Sequence, residues 1–129
     1  MFSVGDIVKI YAPAAGYPKY HLCIAIGGDE EAFKFLFLNS DPNFRDTYSV
    51  NCSRVPCIPI SDTGVTAFSF SQIPRYTVRH LSIYNATKLG ELDKNLAQEL
   101  LKFIQGVKSL SRSEKQIVIL ALSSLCVVG

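Results

Sequence analysis

The hydrophobic period of this chain changes once, near Gly90, and that change limits the fold more than any other feature. Upstream, short runs rich in Ile, Val, Phe and Tyr are separated by Gly, Pro, Asp and Asn clusters, which is the pattern of β-strands joined by turns. The runs are "GDIVKIYA" (Gly5 to Ala12), "KYHLCIAI" (Lys19 to Ile26), "AFKFLFLNS" (Ala32 to Ser40), "SRVPCIPI" (Ser53 to Ile60) and "VTAFSFSQI" (Val65 to Ile73). Downstream, Leu92, Leu96, Leu100 and Ile104, with Ala97, Leu101 and Val107, follow the helical repeat, so an amphipathic helix is predicted from about Asp93 to Leu110. Ser111 and Glu114 then have capping-box spacing and open a second helix from about Arg112 to Leu125. That helix has only a thin polar face, so it packs across the β structure or into a partner. The expected fold class is mainly β with C-terminal helices: a small antiparallel barrel over residues 1–90 and a helical extension over 91–129, in a single domain.

A chain of 129 residues with 48% apolar and 19% charged residues is sized and composed for one self-supporting core. A net charge of +2 is too mild to announce a nucleic-acid binder, so only local placement of charge can argue for one. The N-terminus lacks a basic segment followed by an apolar run, and "IVILALSSLCVVG" is shorter than a membrane span requires, so a cytoplasmic location and no membrane association are expected. Cys23, Cys52, Cys57 and Cys126 are read as reduced thiols. Cys52 and Cys57 are spaced more loosely than a usual zinc pair, and a small zinc protein is the third option; no metal or cofactor is expected.

As a strand, "KYHLCIAI" puts Lys19, His21 and Cys23 on one face and Tyr20, Leu22 and Ile24 on the other. An imidazole exchanges a proton near neutrality, so His21 is a candidate acid or base; the alternative is a half-buried strand histidine bonded to a neighbouring strand. In "QIPRYTVRH", Arg75, Arg79 and His80 bracket Tyr76, and cations interleaved with a ring suit single-stranded RNA, although a loop and edge strand with solvated charges fit equally. Lys9, Lys19 and Arg75 form one groove if the first, second and fifth strands lie side by side. The polar stretch from Asn39 to Asn51 reads as a long loop that either covers such a groove with Phe44, Arg45 and Tyr48 or is a disordered excursion.

Taken in order, "GDIVKI", "KYHLCIAI", "FLFLNSDP", "SQIPRYTVRHL" and "KLGEL" followed by an amphipathic helix resemble the MazF/PemK family of toxins from type II toxin–antitoxin modules, over about Val4 to Leu110. The resemblance implies an SH3-like barrel, a homodimer, metal-independent cleavage of single-stranded RNA, and silencing by a cognate antitoxin protein. It gives Lys19 the role of the family's catalytic arginine, and Ser40 that of its threonine or serine. The chain departs from the family pattern with Lys19 in the arginine position, Tyr20 in place of the proline, Asn39 and Ser40 as the polar pair, and a final helix beyond the usual length.

Metal-independent RNA cleavage has the 2′-hydroxyl attack its own phosphate, which needs a proton acceptor, a cation or donors for the phosphorane charge, and an acid for the leaving oxygen. Lys19, His21 and Ser40 are the expected catalytic set, and Lys9, Phe44, Arg45, Arg75, Tyr76 and Arg79 the expected RNA contacts. A lysine is a point charge where arginine offers a planar fork, so the rival reading is a catalytically inactive barrel that binds protein or nucleic acid, in phage defence or a similar system.

Overall fold

A computed structural model describes residues 1–27 and 32–126. Strands β1 (Asp6–Ala12), β2 (Tyr17–Ile26) and β3 (Ala32–Asn39) form the middle of an antiparallel sheet. It is extended by β4 (Thr47–Asn51), β5 (Val65–Ser69), β6 (Arg75–Thr77) and β7 (Thr87–Glu91). The spatial order is β4-β5-β3-β2-β1-β7, with β6 also paired to β3. Among the described residues no ladder joins β4 to β7, so the sheet is open where a closed barrel was expected.

The rings of Phe33, Phe35 and Phe37 alternate with Leu36 and Leu38 because β3 is covered on both sides. One face of the sheet, with Ile7, Leu22, Leu36, Leu38 and Phe68, packs under α2 (Lys94–Phe103) and α3 (Arg112–Leu125) through Leu96, Leu100, Val118 and Leu122. The other face, with Val8, Ile10, Cys23, Phe33 and Phe35, is closed by Phe2 and by Leu81 of α1 (Val78–Ile83). Each of these large apolar side chains contributes about 1.5–3 kcal/mol by leaving water. Two half-cores share one sheet, which is why polar positions are few in β1, β2 and β3.

The helices start where their capping chemistry places them. The Asp93 carboxylate accepts from the Leu96 N–H at 2.7 Å, and Ser111 with Glu114 forms the reciprocal capping box. The first long helix ends at Phe103 and tightens into a 3-10 turn over Ile104–Gly106, short of Leu110. The second spans the predicted Arg112–Leu125, packs across the sheet, and leaves Leu120 69% exposed. Gly5 has φ +97°, a conformation that L side chains rarely adopt, so the turn into β1 requires glycine, and a Cβ there would also press on the tip of the Leu125 side chain at 2.6 Å.

Three sequence expectations are corrected. "SRVPCIPI" is not a strand: it is a 3-10 turn over Cys52–Arg54 followed by loop, since Pro56 and Pro59 lack the N–H groups a ladder needs. The Asn39–Asn51 stretch is not all loop, since Asn39 ends β3 and the last five residues form β4, paired along β5 from Thr47↔Ser69 to Asn51↔Val65. Between Thr77 and Glu91 the structure adds α1 and β7, which the change of period near Gly90 did not announce.

Candidate functional site

β2 and β3 are in register with Tyr20 opposite Leu38 and His21 opposite Phe37. Beyond Asn39 the chain leaves the sheet, and Asp41 accepts the Asn43 N–H at 2.9 Å to turn it. The "CIPI" loop comes back to the same end, where Thr63 Oγ1 donates to the Ser40 carbonyl at 2.6 Å and Ser61 Oγ donates to the Val65 carbonyl at 2.8 Å. Between these segments lies a cavity of about 510 Å³, walled by the start of β2 (Tyr17, Lys19, Tyr20), the end of β3 (Asn39, Ser40, Asp41), Phe44, Pro59 and Ile60.

Two of the three expected catalytic residues, Lys19 and Ser40, therefore line one concave wall. Lys19 is half-buried, makes no ion pair among the described residues, and holds its ammonium 5.7 Å from the Phe37 ring centroid. Phe37 is not part of the cavity wall, so the ammonium reaches a phosphate there only by leaving this ring; such a cation–π contact is worth about 0.5–1 kcal/mol at an exposed site, little enough for a flexible stem to give up. The Ser40 hydroxyl has no hydrogen-bond partner among the described residues, unlike the Ser61 and Thr66 hydroxyls, which both approach the Cys52 thiol. That contact with Ser61 is the main reason Cys52 is held below the ordinary thiol range.

His21 shares its face of β2 and the Phe37 ring with Lys19 but stays outside the cavity. It is 1% exposed on the α1 side of the sheet, in a box made by Phe37 (ring centroids 5.0 Å apart), Tyr76 (5.5 Å) and Phe35 (5.6 Å). Its Nε2 is 3.4 Å from the Tyr76 hydroxyl, and its Nδ1 lacks a hydrogen-bond partner among the described residues. Burial pulls its pKa down to about 4, the nearby Lys19 and Val8 carbonyls oppose this, and the Lys19 charge adds to it. The imidazole is thus neutral near pH 7 and does not line the cavity.

The expected RNA contacts divide. Phe44, 57% exposed, lines the cavity, and Arg45 is exposed beside it. Lys9 is half-buried on β1, opposite Tyr20 on one side and Thr87 on the other. Arg75 is exposed on β6 opposite Lys34, Arg79 is exposed on α1, and Tyr76 turns its ring toward His21. Arg75 stands on β6, which pairs with β3, and β3 also separates β2 from β5, so the condition for a common Lys9, Lys19 and Arg75 groove is not met. The cavity instead recruits Tyr17, Asp41 and Ile60, which residue type alone did not single out; the paired prolines of "VPCIPI" were the available signal that this segment is wall and not strand.

All four cysteines are free, and among the described residues no group of three or more His, Cys, Asp or Glu is arranged to hold a metal ion. No described helix is long and apolar enough to cross a membrane. No family model, curated protein or solved structure matches the chain.

Proposed function

We propose that this chain is an endoribonuclease of the toxin type that cleaves single-stranded RNA, and that the cavity between β2, β3 and the Pro59 loop is its substrate site. The observation that carries the reading is the convergence of Lys19 and Ser40, distant in sequence, on a wall that also presents the exposed rings of Tyr17 and Phe44. The rings stack on bases, the ammonium meets the phosphate, and the Ser40 hydroxyl donates to a non-bridging oxygen as the 2′-hydroxyl attacks. With His21 enclosed, catalysis draws on stabilisation of the phosphorane charge: the 2′-hydroxyl gives its proton to solvent as its oxygen bonds to phosphorus, the P–O5′ bond breaks, and the departing 5′-oxygen takes a proton from water, leaving a 2′,3′-cyclic phosphate. The reading treats the sheet as an opened relative of an SH3-like barrel. The split edge of β3, paired with β5 at Phe37–Asn39 and with β6 at Ala32–Lys34, supports such curling. A homodimer and a neutralising antitoxin belong to the same reading.

The enclosure of His21 favours one second reading, a module that holds single-stranded RNA in this cavity without cutting it. Incubating the protein with single-stranded RNA in chelator separates the two. The nuclease reading expects 2′,3′-cyclic phosphate ends that disappear in Lys19→Ala and Ser40→Ala. RNA that binds and stays intact leaves only the module, and RNA that neither binds nor breaks removes both.

A further inference from the structure

We infer that Asp41 reads the base of the bound nucleotide and gives the cavity a preference for guanine. The inference rests on the RNA reading above. A cavity of about 510 Å³ is in the range of sites that enclose whole small ligands, so it has room for a base as well as a phosphate. Stacking on Tyr17 and Phe44 tolerates any base, because every base has a π-face, so discrimination falls to the polar groups of the wall.

Some of those groups are already engaged. The Ser61 and Thr66 hydroxyls bond within the protein, and the Ser40 carbonyl is taken by Thr63. Without a hydrogen bond among the described residues are the Tyr17 and Tyr20 hydroxyls, the Lys19 ammonium, the Asn39 amide and the Ser40 hydroxyl, while the Asp41 carboxylate accepts the Asn43 N–H on Oδ1 and keeps Oδ2 without a partner; of these groups only the carboxylate offers two acceptor oxygens and no donor. The Asn43 bond holds Oδ1, and the Thr63 bond holds the Ser40 backbone next to it.

An ionised carboxylate only accepts hydrogen bonds. Guanine places two donors, N1–H and N2–H, side by side on its Watson–Crick edge, so each carboxylate oxygen takes one. Adenine and cytosine offer an amino group beside an acceptor nitrogen, and uracil flanks its N3–H with two carbonyls that a carboxylate repels.

The test is fluorescence anisotropy with non-cleavable 2′-O-methyl oligouridylates carrying one central uridine, guanosine, adenosine, cytidine or inosine, at fixed ionic strength. The wild-type chain should bind the guanosine probe roughly 5- to 150-fold more tightly than the uridine probe, the ratio expected for one bidentate base contact. Inosine, which lacks the N2 amino group, should lose most of that preference in the unaltered protein, independent of how any variant folds. Asp41→Asn should abolish the preference while still binding the uridine probe. Binding without a guanine preference, or a preference that survives Asp41→Asn, overturns the inference and leaves the RNA reading standing. No binding of any probe by the wild-type chain overturns both.

Discussion

Lowering the pH from 7 to about 5 should weaken the fold through His21. Above pH 6.5 the imidazole is neutral whether the chain is folded or unfolded, and stability does not depend on its titration. Below 6.5 the unfolded chain takes up a proton that the folded chain, with a pKa of about 4, refuses, so unfolding is progressively favoured until the folded pKa is reached. The interval of about 2.5 pH units, at 1.36 kcal/mol per unit, makes the loss roughly 3 kcal/mol. This is a large share of the stability of an ordinary domain. The cause is structural: Phe35, Phe37 and Tyr76 exclude water from the ring, and Lys19 stands close by. Glu99, Glu114 and Asp46 are held below the ordinary carboxylate range chiefly by Arg54, Ser111 and Ser109, so their contributions are intact above the unfolded carboxylate pKa and start to be lost only at the acid end of the His21 window, where a control variant subtracts them. Urea unfolding followed by circular dichroism at half-unit pH steps measures the effect, and His21→Gln, which cannot titrate, is the control. The wild type should lose stability between pH 6.5 and 4.5 at up to about 1.4 kcal/mol per unit relative to the variant. Parallel curves for the two proteins would refute the burial argument.

Gly5→Ala should destabilise the fold by about 1–3 kcal/mol, because it combines a positive φ with a collision against Leu125; a midpoint in urea within error of wild type would contradict the seating of α3. Lys19→Ala should reduce the slope of log K against log salt for single-stranded RNA binding by about 0.7, the share of one phosphate contact, and an unchanged slope would place the ammonium away from the phosphate.

The two C-terminal helices were legible in the sequence because helix periodicity and capping are local. Ser111, Glu114 and the apolar stripe behind them lie within a few turns of one another, and α3 occupies the residues they delimit. Strands β1, β2 and β3 were legible for the same reason, since alternation of side chains is a property of neighbours in the chain. Alternation says which residues share a face but not what covers it. His21, Lys19 and Cys23 were correctly placed together by register, yet only the distant β6–α1 segment, folding over that face with Tyr76 and Leu81, turned a titratable strand position into a buried neutral one. The cavity likewise joins the beginning of β2, the end of β3 and a proline loop, three segments whose proximity depends on strand order and chain return. Local preference by itself therefore determined where helices and most strands form and which side chains travel together. The tertiary structure alone decided which face meets water, because burial and convergence arise from contacts between residues far apart in the chain, and no local pattern encodes those.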